Sequence, residues 1–231
     1  MEAIVLAGGL GTRLRSVISE IPKPMAPIGK KPFLEYILKY LSNNGIKKVI
    51  LSVGYKWDII KDYFGDKYND IDLLYSVEEY PLGTGGAIKQ AIETTIDSEK
   101  VFIVNGDTFF NIDLNKLILK YQKSDTLLSL SLKKMTNFDR YGSVEIDENG
   151  FIKGFFEKKY QKEGYINGGI YLVSSDIFNN FELPEKFSFE EFIQKEYKKL
   201  NANAEIFDDY FIDIGIPEDY EKAQKELKYY I

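Results

Sequence analysis

Short apolar runs alternate with amphipathic stripes through the first hundred residues, and that alternation constrains the fold more than any other feature. Ala3-Ile4-Val5-Leu6-Ala7 is unbroken by polar residues, the pattern of a strand buried on both faces. Leu34, Ile37, Leu38 and Leu41 then fall at i, i+3, i+4 and i+7, which predicts a helix lying on a sheet. Pro32 suits its first position and Gly45 its end, so this helix runs from Pro32 to about Asn44. Lys48–Val53 is a second buried strand, Trp57–Phe64 a short helix closed by Gly65, and Ile71–Val77 a third strand. The β-α-β-α-β order predicts parallel pairing with right-handed crossovers, hence an α/β, Rossmann-like, mainly parallel sheet flanked by helices. Ligands on such sheets sit beyond the carboxyl ends of the strands.

Those ends carry the unusual residues. After the first strand come Gly8, Gly9 and Gly11, then Thr12, Arg13 and Arg15. Glycines let the backbone approach a ligand and aim several N–H groups at it, and the arginines add fixed positive charge, so an anion is the natural guest. Lys23 and Lys30 follow, with Pro22, Pro24 and Pro27 stiffening the segment. The dinucleotide fingerprint fails because Leu14 stands where its third glycine belongs, and the Walker A loop fails because Lys23 sits between prolines. A second glycine-rich turn, Leu82-Gly83-Thr84-Gly85-Gly86, follows the third strand, and a helix is expected from near Gly86 to about Thr95. Glu78 or Glu79, just before it, could accept both N1–H and N2–H₂ of guanine, whereas uracil and thymine lack that double donor. Val101–Val104 is the fourth central strand, ended by Asn105-Gly106-Asp107. A carboxylate at that end, facing the phosphate loop, is placed to hold a metal.

Composition narrows the chemistry. The 231-residue chain has no histidine and no cysteine, which excludes Ser-His-Asp and Cys-His catalysis and every His- or thiolate-ligated zinc site. A bound metal must be held by oxygen, which favours Mg²⁺ or a similar hard cation. A net charge of −6 argues against nucleic acid or an anionic membrane as the main partner. No signal-peptide pattern precedes the first strand, and no apolar run approaches the roughly 20 residues of a membrane span. A soluble cytoplasmic protein is expected.

Further along, Thr126–Leu132 alternates as a strand, and Gly142–Asp147 with Phe151–Phe156 form a hairpin around Glu148-Asn149-Gly150. Tyr165–Val173 is a strand interrupted by Gly168-Gly169, which suggests close approach of another group. Phe189, Phe192, Ile193, Tyr197 and Leu200 make an amphipathic helix expected to serve only the core, and a last helix begins near Pro217. No internal repeat or long linker is visible. A single domain over residues 1–231 is expected, with residues 142–200 as an inserted lobe.

Gly8-Gly9-Leu10-Gly11-Thr12-Arg13-Leu14, followed by Pro22-Lys23-Pro24-Met25, resembles the signature of the sugar-1-phosphate nucleotidylyltransferases, the NDP-sugar pyrophosphorylases. The resemblance extends over essentially the whole chain and implies the nucleotide-diphospho-sugar transferase fold. It places nucleotide binding on Leu6, Ala7, Gly8, Gly9, Gly11, Thr12, Arg13, Glu78, Gly83, Thr84 and Gly106. Arg13, Lys23 and Asp107 become the catalytic set, with Asp107 and Asp213 (in Asp213-Ile214-Gly215-Ile216-Pro217) as ligands of Mg²⁺. Phe155-Phe156-Glu157-Lys158 resembles the family's sugar-phosphate step, although Lys159 replaces the proline that often follows. Gly142, Glu157, Lys158, Asn167 and Gly168 are then the sugar-phosphate residues. The implied reaction joins a sugar 1-phosphate to a nucleoside triphosphate. Similarity to the manno-configured members points to GTP with a heptose or mannose 1-phosphate, UTP or dTTP being the alternatives. A glycosyltransferase is a rival, but Asp70-Ile71-Asp72 precedes its strand instead of ending one. A non-catalytic sensing subunit is another, and the retained charged residues speak against it. Whether the chain forms a homodimer is left open.

Overall fold

The apolar runs form the expected strands. The computed structural model describes residues 1–9 and 21–230. In chain order the strands and helices are β1 (Glu2–Leu6), β2 (Pro27–Ile28), β3 (Lys31–Pro32), α1 (Phe33–Asn43), β4 (Lys48–Val53), α2 (Trp57–Phe64), β5 (Lys67–Tyr68), β6 (Ile71–Val77), α3 (Gly83–Thr95) and β7 (Lys100–Asn105). They continue with β8 (Thr108–Phe110), α4 (Leu114–Gln122), β9 (Leu128–Phe138), β10 (Ser143–Ile146), β11 (Ile152–Phe156), β12 (Gln161–Ser174), α5 (Phe189–Glu196), β13 (Asn203–Phe207), β14 (Phe211–Asp213) and α6 (Pro217–Glu226).

A ten-stranded sheet runs in the order β11-β10-β12-β7-β1-β4-β6-β5, with β9 joined to β12 and β13 to β9. β7, β1, β4 and β6 are parallel. The chain passes from β1 to β4 and β6 on one side, then crosses to β7 on the other, so the strand order reverses between β1 and β7. Such a reversal opens a crevice at the carboxyl ends. Alternate residues of β1 serve two cores: Ala3 and Val5 pack with α1, Ile4 with α3 and α5. In α1 the whole predicted stripe is buried, each such side chain contributing about 1.5–3 kcal/mol relative to exposure. Gly45, φ +78, ends it in the left-handed conformation expected of a stop residue.

Three departures from the sequence expectation matter. Helix α3 begins at Gly83, three residues early. β12 is fourteen residues long: its second half pairs with β7 and β9, its first half with β9 and at Ile166 with β10. Its register with β9 slips between Asn167 and Tyr171, where Gly168 and Gly169 absorb a bulge. Because β12 is antiparallel to β7, its first half carries β10 and β11 out beyond the carboxyl end of β7, over the crevice. Finally, β8 pairs with β14, setting Thr108 opposite Asp213. Among the described residues no helix is long and apolar enough to cross a membrane.

Candidate active site

The crevice is a cavity of about 670 Å³. Its floor is the ends of the parallel strands: Leu6, Gly8 and Gly9 after β1, Ser52 and Gly54 after β4, Glu78 and Glu79 after β6, and Asn105, Gly106 and Asp107 after β7. Lys23 and Pro24 close one side, Tyr55 and Tyr80 the mouth. Gly106 donates its N–H to the Leu6 carbonyl at 3.0 Å, and a Cβ on it would collide with that same oxygen, so this turn hugs β1.

Lys23 reaches the crevice from a short 3₁₀ turn whose Pro24 and Met25 are buried anchors. Its Nζ lies 2.6 Å from Asp107 Oδ2 and 4.0 Å from Asp213 Oδ1, with the side chain only 10% exposed. The β8–β14 pair brings the two carboxylates together, and Ile214 N–H donates to the Asp107 carbonyl at 3.0 Å. Burial pushes the Asp213 carboxyl up, the like charge of Asp107 adds to this, and Lys23 and the Gly215 N–H oppose it. Two carboxylates thus share one ammonium. The donor set is oxygen only, its charge is incompletely neutralised, and among the described residues no third Asp or Glu converges on it. Such an oxygen donor set fits a hard divalent cation.

At the other end Glu78 is half-buried. Burial pushes its carboxyl up, opposed by the Leu82 N–H, which donates to Oε2 at 3.0 Å. A Cβ on Gly8 would stand 2.6 Å from Glu78 Oε1. Gly8 is therefore glycine partly to admit this carboxylate. The next glycines have a different reason. Residues 184–188 cross the first turn of α3 as a strap, with Gly85 N–H donating to the Phe187 carbonyl at 2.9 Å and Phe187 N–H to the Leu82 carbonyl at 3.0 Å. A Cβ on Gly83, Gly85 or Gly86 would strike Phe187 or the Glu185 carbonyl. The second glycine-rich turn is thus shaped by a strap that packs on it, while Gly83 and Thr84 still line the cavity.

A second cavity of about 150 Å³ lies under the overhanging part of the sheet. Gly142 and Asn167 line it with Phe155, Phe156 and Glu190. Asn167 Nδ2 donates to the buried Tyr171 hydroxyl at 2.6 Å. Glu157 and Lys158 follow β11, are exposed, and line neither cavity. Gly168 is buried, where a Cβ would stand 2.5 Å from the Phe110 ring, so packing accounts for it. Gly11, Thr12 and Arg13 lie outside the described residues. Ala7 is buried and spends its N–H on the Ser52 carbonyl at 2.7 Å. Asp70 is bound by Lys47 and Ser42 away from the crevice, as its place before a strand implied.

The family model for nucleotidyl transferases matches residues 2–229. The chain belongs to the nucleotidyl transferase family. This nucleotidyl transferase is 58% identical over 220 residues to D-glycero-alpha-D-manno-heptose 1-phosphate guanylyltransferase of Campylobacter jejuni, covering 95% of this chain and 97% of that protein. It is 54% identical over 232 residues, all of both chains, to the Aneurinibacillus thermoaerophilus protein of the same name. The crystal structure of HddC from Yersinia pseudotuberculosis complexed with GMP-PN superposes with a TM-score of 0.84 at 38% identity, covering 97% of this chain and 98% of that one. The fold expected from the sequence is the fold found.

Of the cavity residues that escaped the sequence, two carry polar groups that matter here. Ser52 is one, its hydroxyl buried with no hydrogen-bond partner among the described residues. Glu190 is the other: Ser188-Phe189-Glu190-Glu191 signals a capped helix start, and Ser188 Oγ does accept from Glu191 N–H. Nothing in that pattern separates Glu190 from a solvated neighbour.

Proposed function

We propose that this nucleotidyl transferase joins D-glycero-α-D-manno-heptose 1-phosphate to GTP, giving the GDP-sugar and pyrophosphate. The observation that carries the reaction is the Lys23–Asp107–Asp213 cluster at one end of a cavity whose other end holds Glu78. The identity of both substrates is supported by the named activity of the full-length relatives.

A phosphate oxygen of the sugar 1-phosphate attacks the α-phosphorus of GTP. The bond to the β-phosphate oxygen breaks, and pyrophosphate leaves with its electron pair. The attacking phosphate arrives ionised, so neither a protein base nor a protein nucleophile is needed. What the chain supplies is placement and charge. Asp107 and Asp213 would hold Mg²⁺, which supplies charge neutralisation between the two phosphates. Lys23 stabilises the charge that builds on the α-phosphate. Glu78 keeps Oε1 for the guanine N1–H and N2–H₂ edge while Leu82 N–H fixes Oε2. Gly142 and Asn167 take the sugar side, where their cavity opens. Arg13 with Gly11 and Thr12 is assigned to the leaving pyrophosphate, Lys158 to the sugar phosphate and Glu157 to the sugar hydroxyls, on the strength of the motifs.

Pyrophosphate release in Mg²⁺ tests this, with four nucleoside triphosphates crossed against mannose, glucose and manno-heptose 1-phosphates. Release with GTP and the heptose phosphate at the highest kcat/KM is the expected result. A preference for mannose 1-phosphate would replace the sugar, and a preference for UTP or dTTP would overturn the role of Glu78.

A further inference from the structure

Glu190 stands in the wall shared by both cavities and is used by none of the motifs discussed above. It is half-buried on the first turn of α5, and its two oxygens differ sharply. Oε2 accepts from Thr84 Oγ1 at 2.9 Å and from Ser188 Oγ at 3.2 Å. Thr84 Oγ1 itself accepts the Phe189 N–H at 2.8 Å, and Ser188 Oγ accepts the Glu191 N–H, so each hydroxyl has its proton committed to Glu190. Oε1 has no hydrogen-bond or ion-pair partner among the described residues. A fixed carboxylate oxygen left open at a cavity junction repels phosphate and attracts a donor without charge. The second cavity combines apolar walls (Val144, Phe155, Ile193) with Asn167 and Glu190, a lining that suits the carbon face and hydroxyls of a sugar ring.

We propose that Glu190 contacts the sugar 1-phosphate directly, its Oε1 accepting a hydrogen bond from a sugar hydroxyl at the junction of the two cavities. This rests on the function proposed above. It also gives the strap a purpose: Thr84, on the nucleotide side, orients the residue that reads the sugar.

The geometry supplies a sharp variant. In Glu190→Gln both hydroxyl protons still point at the Oε2 position, so the amide oxygen must sit there and the NH₂ must face the junction. The latch and the shape survive, while the charged acceptor becomes a neutral donor. The expected result is an increase of about 10-fold in KM for the heptose phosphate, with the KM for GTP and the melting temperature unchanged. Across 2-, 3-, 4- and 6-deoxy mannose 1-phosphates, one analogue should show the same kcat/KM with wild type and variant, identifying the hydroxyl. An unchanged KM for the sugar phosphate, or a shift in the KM for GTP alone, overturns the assignment. Wild-type turnover decides the proposed function by itself. If the wild type does not turn over, calorimetry of mannose 1-phosphate binding with a non-transferring GTP analogue still decides Glu190. Weaker binding by Glu190→Gln supports the contact, and equal or absent binding in both proteins overturns it.

Discussion

Gly83→Ala should separate the strap from the chemistry. Gly83 opens α3 with φ +72, a conformation that costs an L-residue about 1–2 kcal/mol. The new Cβ would also stand 2.5 Å from the Phe187 carbonyl oxygen and 3.1 Å from its carbon. These are backbone atoms, held by the Gly85 N–H and by the Phe187 N–H bond to Leu82, so no side-chain rotation relieves the clash. The strap must lift and lose both bonds, each worth about 1 kcal/mol. The combined loss is about 3–4 kcal/mol, which for a chain of this length lowers the melting temperature by roughly 6–16 °C. Because Thr84 is the next residue and holds Glu190, the KM values for both substrates should rise together. Thermal melts and pyrophosphate release on one preparation measure both effects. Gly9→Ala is the control: a Cβ there meets nothing within 4 Å among the described residues, and the melt should not move. A Gly83→Ala protein that melts within about 1 °C of wild type would refute the strap argument, since only innocuous surface changes are that small.

Asp107→Asn and Lys23→Ala should each slow turnover by at least about 100-fold, and near-normal rates in either would remove that residue from the mechanism. Chelation of divalent cations should abolish pyrophosphate release and added Mg²⁺ should restore it; activity that survives chelation would refute the metal role of Asp107 and Asp213. Glu2 offers a pH test away from the site. Burial pushes its carboxyl up, but Lys48 at 2.7 Å and the N–H groups of Ser98 and Asp97 outweigh this and hold it at about 2. A depressed carboxyl stabilises above its ordinary value of 4.5 and loses that contribution as pH falls toward 2. Glu2→Gln should therefore cost about 1–2 kcal/mol at pH 7, discounted from the full shift because solvent reaches Lys48. The gap from wild type should close between pH 4.5 and 2, and parallel melting curves across that range would refute it.

The elements legible in the sequence are those whose cause is local. β4, α2 and β6 have the expected bounds because their apolar patterns lie within the segments themselves and Gly65 closes α2. The glycines of α3 argue against a helix on propensity, and the turn forms there because the strap supplies hydrogen bonds from about a hundred residues away. The extra length of β12 lies in Gln161–Gly164, a polar stretch with no apolar alternation that is extended only because it pairs with β9, while Phe110 and Asn105 fill the space at Gly168-Gly169. Asp107 and Asp213 were recognisable as a pair from their motifs. The β8–β14 pairing that joins them is only three residues long and has no periodic signature. Glu190 was invisible because its neighbours belong to the other side of the crevice.

Charge explains why such a site can work without histidine or cysteine. The proposed substrates are two polyanions, yet the cation described at the reacting end, Lys23, is already shared between two carboxylates. Alone, that cluster would repel an incoming phosphate more than attract it. Burial raises the proton affinity of Asp213 first, and the like charge of Asp107 adds to it, which is the same imbalance seen from the protein's side. A divalent cation held by Asp107 and Asp213 would reverse the sign locally. On the proposed function, the uncompensated carboxylate pair would disfavour a lone sugar phosphate, and a bound cation and nucleotide would relieve that repulsion. Substrate order becomes a consequence of electrostatics. On this argument the sugar phosphate should bind measurably only after the metal–nucleotide complex, and calorimetry showing equal affinity without nucleotide would refute it.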